Sequence, residues 1–283
     1  MAIRKAVAVK NLINGKALEH IEIHDRALHY GDGLFETIAI QDRKALCFDE
    51  HLNRLEKGCK KLKLPVQDKT IIKNEVSSLI ESKDRAVLKI IISRGQGGRG
   101  YKIPDNIDVT RIISLFPWPN YSYEFSTTGI KAKICSYRYG NNPTLAGIKH
   151  LNRLEQILAR SEWRDEETME GIVMNSDDFV IEGTMSNIFC FVNKTLYTPD
   201  LSQCGIEGII REKIINLANT LGFKIEIERI TLDFLLSANE IFLCNSLIGI
   251  WPINSIGENL FLEHEKTQKL QKKLMECNFI PKL

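Results

Sequence analysis

The sequence holds no CxxC pair, no HExxH and no apolar run near the ~18 residues that a membrane-spanning helix needs. Seven cysteines are present (Cys47, Cys59, Cys135, Cys190, Cys204, Cys244, Cys277), an odd number at wide spacing. That pattern speaks against a disulfide framework and against a zinc site, and suits free thiols in a reducing cytoplasm. Cys135 and Cys190 read as small buried hydrophobes. The histidines His20, His24, His29, His51, His150 and His264 show no metal-binding spacing. An excess of charge of one sign is also missing: the net charge is +2. Bulk attraction to nucleic acid or to an anionic membrane is therefore not expected, while this balance leaves room for a local basic pocket for an acidic small molecule. The apolar stretch in the first 16 residues is too short for a signal peptide, so the reading is a cytoplasmic protein.

What is present is ordinary globular composition, 43% hydrophobic and 26% charged over 283 residues. At ~150 residues per domain this length suits about two domains. Residues 1–115 read as a small α+β domain. Ala6–Val9 and the segment around Leu12 are extended, and Asn14-Gly15 is a hairpin-type turn. Leu34–Ile40 alternates as a strand, Asp49 stands as the N-cap of a helix that ends near Pro65, Asp68–Ser82 reads as a second helix, and Ala86–Ser93 as a buried strand. The stretch FPWPNYSY, 116–123, carries two prolines and reads as extended chain. Residues 116–127 are taken as the interdomain linker. Residues 128–283 alternate strands (129–136, 171–174, 179–182, 187–192, 224–229, 240–244) with helices (150–162, 208–221, 264–275), which suits a larger α/β domain with a curved or barrel-like sheet. HLNRLE occurs at 51–56 and again at 150–155 with unrelated flanks, and reads as two independent helix starts.

Four features carry possible chemistry. Gly95, Gly97 and Gly100 match GxGxxG after a strand, but YKIPDN follows where a dinucleotide site needs a helix. The alternative use of that loop lies in Arg94 and Arg99, which would suit a substrate carboxylate. Lys149 stands just before the helix expected at 150–162, where burial could lower an amine pKa and make it a nucleophile. Glu182 closes a strand before Gly183. GIEGIIR, 205–211, opens a helix whose N-terminal N–H groups suit a phosphate.

Taken together these blocks resemble the fold-type IV family of pyridoxal-phosphate (PLP) enzymes. The resemblance runs through DRALHYGDGLFETI (25–38), HLNRL (51–55), ISRGQGGRGY (92–101), NPTLAGIKHLNRLEQ (142–156), IEGTMSNIF (181–189), GIEGIIR (205–211) and EIFLCNSLIGIWPI (240–253). It implies a two-domain chain and a homodimer. It also implies that Lys149 matches the lysine that bonds covalently to PLP, Glu182 the carboxylate at the pyridine nitrogen, and Arg54 the arginine on the cofactor phosphate. The backbone at Ile209 and Ile210 and the Ser246 hydroxyl match the rest of the phosphate cradle. Arg99 aligns loosely with a substrate-carboxylate arginine. The blocks ISRGQGGRGY and AGIKHLNRLEQ resemble the lyase branch of the family, which eliminates pyruvate from aminodeoxychorismate to give 4-aminobenzoate on the route to folate. The cofactor residues are shared with aminotransferases acting on D-amino acids or branched-chain amino acids, so they do not separate the two activities. A PLP-binding protein without turnover is a third reading, which retention of Lys149, Glu182 and Arg54 together disfavours.

Overall fold

The structure is a computed structural model and describes residues 10–282. The extended segment expected at Ala6–Val9 lies outside the described residues. Contacts within the chain divide it into two compact units, one formed by 1–120 with 148–152 and one by 121–147 with 153–283. The five residues 148–152, which the sequence reading assigned to the C-terminal part, thus pack with the first unit.

The first unit contains β1 (Lys10–Ile13), α1 (Arg26–Tyr30), β2 (Gly33–Gln41), β3 (Lys44–Ala45), α2 (Phe48–Lys61), α3 (Lys69–Ile80), β4 (Arg85–Ser93) and β5 (Thr110–Phe116). Its strands form an antiparallel sheet in the order β1-β5-β4-β2-β3. Alternation along β2 places Leu34, Glu36, Ile38 and Ile40 on one buried face. Leu52 and Leu55 from α2 and Ile72 and Val76 from α3 are buried with it. The Asn14-Gly15 turn forms, with both residues at positive φ and Ile13 and Lys16 exchanging hydrogen bonds of 2.8 and 3.0 Å. Ile13 and Lys16 form a single antiparallel bridge across it, and the longer pairing of β1 is with β5. Asp68 caps α3 by accepting from Thr70 N at 2.7 Å. Asp49 does not cap α2, which begins one residue earlier after Cys47 in a left-handed turn (φ 49°). Asp49 and Glu50 lie in its first turn, where carboxylates favour the positive end of the helix dipole.

The second unit contains α4 (Glu124–Thr127), β6 (Ile130–Tyr139), α5 (Leu154–Arg160), β7 (Thr168–Asn175), β8 (Phe179–Gly183), β9 (Asn187–Val192), β10 (Thr195–Pro199), α6 (Ile209–Ala218), β11 (Lys224–Glu228), β12 (Ile230–Thr231), α7 (Leu232–Leu236), β13 (Glu240–Asn245), β14 (Gly249–Ile256), β15 (Asn259–Leu260) and α8 (Glu265–Glu276). Nine strands run β11-β10-β9-β13-β14-β6-β7-β8-β12, with β15 beside β14. β8 also approaches β9 and β10, so the sheet curls back on itself into a barrel-like surface. Three apolar clusters lie in this unit, one of them around Tyr139, Trp163 and Ile181. Another is built around Trp251, Ile241 and Leu243, and the third on Phe189, Phe191 and Phe242 beneath α6 and α8. The segment expected as an extended linker includes the short helix α4.

The two HLNRLE copies adopt different backbones: the first lies within a helix, and the second is extended until its last two residues open α5. Residues 51–56 lie inside α2. Residues 149–151 are extended along the edge of β2, where Phe35 N donates to Lys149 O (2.9 Å), Leu151 N donates to Gly33 O (3.0 Å) and His150 bridges Leu34. The helix expected from 150 therefore begins only at Leu154. The same six residues fold differently because tertiary pairing outweighs local propensity.

Candidate active site

In the first unit the site begins with a charged residue on a core face. Glu36 is 1% exposed between Leu34 and Ile38. α2 offers it two partners one helical turn apart. His51 Nδ1 lies 2.6 Å from Oε2, while Arg54 donates from Nε to Oε1 (2.8 Å) and from Nη2 to Oε2 (2.5 Å). Burial alone would raise the Glu36 pKa, but the Arg54 and His51 charges override it and hold the carboxyl at about 2. Burial also holds the His51 pKa below its ordinary value; Glu36 opposes that, and Arg54 and Lys149 reinforce it.

Lys149 is held beside Phe35 of β2 by the 149–151 pairing. That pairing needs Gly33, where a Cβ would fall 2.4 Å from Ile92 O and 2.9 Å from Leu151 Cδ1. Asn152 ties the end of the segment by donating to Gly31 O (3.1 Å). Lys149 Nζ lies 4.3 Å from the centre of the Phe35 ring. Arg54 thus meets the Glu36–His51 pair directly, and Lys149 acts on His51 through its charge.

The glycine-rich loop is pinned rather than free. Arg26 N donates to Gly95 O (2.9 Å), Gly97 N to His24 O (3.3 Å) and Arg26 Nη1 to Gly100 O (3.1 Å). A Cβ on Gly95 (φ 78°) would fall 1.7 Å from Asp108 O. No helix follows the loop; the next regular element is β5. Arg94 and Arg99 separate here. Arg94 is 3% exposed and forks onto Asp32 through Nε (2.8 Å) and Nη2 (3.0 Å), while Nη1 and Nη2 also reach Lys63 O and Leu62 O. Burial works to raise the Asp32 pKa, yet Arg94 and Arg26 keep it below the ordinary value. Arg94 is committed to the fold, which corrects the expectation that it binds substrate. Arg99 is exposed and lines a cavity of ≈ 390 Å³ with His24, Arg26, His29, Tyr30, Gly97 and Gly98.

In the second unit, Glu182 sits in β8 at 4% exposure. Its Oε2 accepts from Ile206 N (2.9 Å) and from Asn187 Nδ2 (3.3 Å). Asn187 also donates to Ile206 O (2.8 Å), so one side chain joins β9 to the 205–208 turn. That turn leads into α6 through Gly208, where a Cβ would fall 1.9 Å from Asn187 Oδ1. Ile209 and Ile210 are the first two residues of α6, whose leading N–H groups have no partner within a helix. Gly147, two residues before Lys149, bridges Ile206 by Gly147 N to Gly205 O (2.9 Å) and Glu207 N to Gly147 O (3.1 Å). Ser246 lies in the β13–β14 turn. Asn245 shapes that turn, accepting from Leu247 N and Ile248 N and donating to Met185 O (3.0 Å). Because Cys244 pairs with Asn187, Ser246 belongs to the same neighbourhood as Glu182 and the α6 N-terminus.

Glu36, His51 and Asn187 were not singled out from the sequence. A signal for Glu36 was available, since it breaks the apolar alternation of LFETIAI, and His51 stands three residues before Arg54 on one helix face. The seven cysteines are free, and Cys135 and Cys190 are buried, with burial pushing both thiols to about 12. Among the described residues no cluster suits a metal ion, and no helix is long and apolar enough to cross a membrane.

Residues 33–256 match the amino-transferase class IV family model. The chain belongs to that family. It is 34% identical over 246 residues to an aminodeoxychorismate lyase of Vibrio harveyi, covering 87% of this chain and 90% of that protein. A crystal structure of 4-amino-4-deoxychorismate lyase from Pseudomonas aeruginosa superposes with a TM-score of 0.90 at 37% identity, covering 94% of this chain and 98% of that one. A branched-chain-amino-acid aminotransferase of Escherichia coli is 28% identical over 253 residues, with 83% and 80% of the two chains covered. The barrel-like sheet of the second unit and the smaller sheet of the first are those of a fold-type IV enzyme.

Proposed function

We propose that the chain is a PLP-dependent 4-amino-4-deoxychorismate lyase, releasing 4-aminobenzoate and pyruvate, and that it works as a cytoplasmic homodimer. One observation carries the choice of activity: likeness to two lyases over nearly the whole chain, at 34% and 37% identity, against 28% for the aminotransferase. The donor set suits the cofactor. In the first unit Arg54 is already oriented by Glu36 and suits a phosphate; in the second, the Ile209 and Ile210 N–H groups and the Ser246 hydroxyl are of the kind that bind one. Glu182, aimed by Ile206 N–H and Asn187, suits a protonated pyridine nitrogen. Lys149 supplies the amine. An apolar stripe on α5, with Leu154 73% and Ile157 61% exposed, suits burial against a second subunit.

PLP, when bound, supplies an electron sink next to the substrate amine. Glu182 keeps the ring nitrogen protonated, which maintains that sink. Lys149 Nζ accepts the proton from the substrate carbon bearing the amine. The C–O bond on the neighbouring ring carbon then breaks, its electron pair leaves with the enolpyruvate oxygen, the ring becomes aromatic, and the released enolpyruvate takes up a proton from water at its methylene carbon to give pyruvate. Arg99, exposed on its pinned loop, suits a substrate carboxylate. The test is chromatography of 4-aminobenzoate from PLP-loaded protein given aminodeoxychorismate. Lys149→Ala is expected to lower the rate by about 10³-fold or more and to remove the visible absorption band of bound PLP. A band without 4-aminobenzoate, accompanied by amino-group exchange with keto acids, would favour an aminotransferase.

A further inference from the structure

Glu170 is a buried carboxylate that the proposed chemistry does not use. It is 1% exposed on β7, between Thr168 and Ile172 on a buried face. Five donors converge on it. Oε1 accepts from Gly171 N (3.0 Å), Thr184 N (3.0 Å) and Thr184 Oγ1; Oε2 accepts from Met185 N (3.2 Å) and Ser186 Oγ (2.8 Å). Four of these come from the Thr184–Ser186 turn joining β8 to β9. A Cβ on Gly183 would strike both Ser186 Oγ (2.3 Å) and Glu170 Oε2 (2.9 Å), so the turn closes directly over the carboxylate.

This turn leads to both halves of the cofactor site in the second unit. On one side Gly183 follows Glu182, and Ser186 precedes Asn187, whose amide holds Glu182 and Ile206. On the other, Met185 O accepts from Asn245, the residue that shapes the turn carrying Ser246. A shift of the 184–186 backbone would therefore move the ring-nitrogen carboxylate and the phosphate hydroxyl together.

We propose that Glu170 is a positioning residue for PLP: the hydrogen bonds it accepts from Thr184, Met185 and Ser186 set the places of Glu182 and Ser246. This rests on the PLP reading given above. Glutamine cannot satisfy the converging backbone donors at both positions, because its amide group would face one of them.

The test is titration of apoprotein with PLP, followed by the visible band, for wild type, Glu170→Gln and the double variant Thr184→Val/Ser186→Ala. The expected result is PLP affinity about 10-fold weaker in both variants, a change typical of losing about one buried hydrogen bond, together with a displaced pH midpoint of the visible band. Thermal melting of the apoproteins separates this from a purely structural role. A lower melting temperature with wild-type PLP affinity and band would overturn the proposal. If Glu170→Gln does not fold, the double variant decides alone by the same criterion. If wild type shows no visible band with PLP, or keeps it in Lys149→Ala, the underlying reading fails and the proposal with it. A Lys149-dependent band in wild type with unaltered affinity in the variants removes only the role of Glu170.

Discussion

Each unit buries a glutamate on the apolar face of a strand, and the two are treated in opposite ways. Glu36 on β2 meets a guanidinium and an imidazole and is held at about 2. Glu170 on β7 takes its hydrogen bonds from neutral N–H and O–H groups, and burial pushes its pKa above the ordinary value despite them. The difference teaches what a buried carboxylate can be for. Glu36 aims a charged partner, Arg54, whose fork then presents its remaining donors in a fixed direction. Glu170 aims a stretch of backbone. The first holds an ion and the second holds a turn.

The comparison can be broken most sharply at Glu36. Glu36→Gln leaves Arg54 and His51 without their carboxylate in a buried setting, so a loss of about 3 kcal/mol is expected in denaturant unfolding of the apoprotein. Glu170→Gln removes no ion pair and should cost about 1–2 kcal/mol in the same measurement. Equal losses would show that charge pairing does not distinguish the two sites.

Dependence on pH sharpens the contrast. The ordinary Glu36 value is 4.5 and its folded value about 2. Its stabilisation is therefore complete above about 4.5 and fades as pH falls towards 2. That span corresponds to roughly 3 kcal/mol at about 1.4 kcal/mol per unit. For Glu170 the folded value is raised, so the sign reverses: its contribution is complete below the ordinary carboxylate range and fades as pH rises through the raised value. Stability profiles should show the acid limb flattened by Glu36→Gln and the limb above it flattened by Glu170→Gln. Flattening of the same limb by both would contradict the assignment.

In the glycine-rich loop two arginines divide in the same manner, and the smallest effect on stability is expected at Arg99. Arg94→Ala should cost about 2–3 kcal/mol, because it strips Asp32 of a buried fork. Arg99→Ala should stay within about 0.5 kcal/mol of wild type in stability while raising the substrate KM. An unaltered KM would leave Arg99 without a binding role.

Much of this was legible in the sequence, and the gaps have physical causes. The apolar pattern gave β2, β4 and α3 nearly to the residue, because a buried face is a local signal. The backbone of 149–151 was not legible: HLNRLE is compatible with a helix, and only the open edge of β2 beside Gly33 draws it into extended pairing. The site blocks were legible as words, yet Arg94 and Arg99 looked alike in ISRGQGGRGY. Asp32 and two carbonyls claim Arg94, and those contacts are set by the fold. Glu36 carried an unused signal, a carboxylate at an inward position of an alternating strand, where burial demands partners, whereas Glu170 lay outside the strand expected at 171–174 and β7 is buried at nearly every position.

The most direct measurement is partition between products. PLP-loaded protein is given aminodeoxychorismate together with a keto acid, and 4-aminobenzoate and newly formed amino acid are quantified in one mixture. The account predicts 4-aminobenzoate and pyruvate in equal amounts, with little amino acid, and loss of both products in Lys149→Ala. Amino acid formed in place of 4-aminobenzoate would contradict it and identify the chain as an aminotransferase.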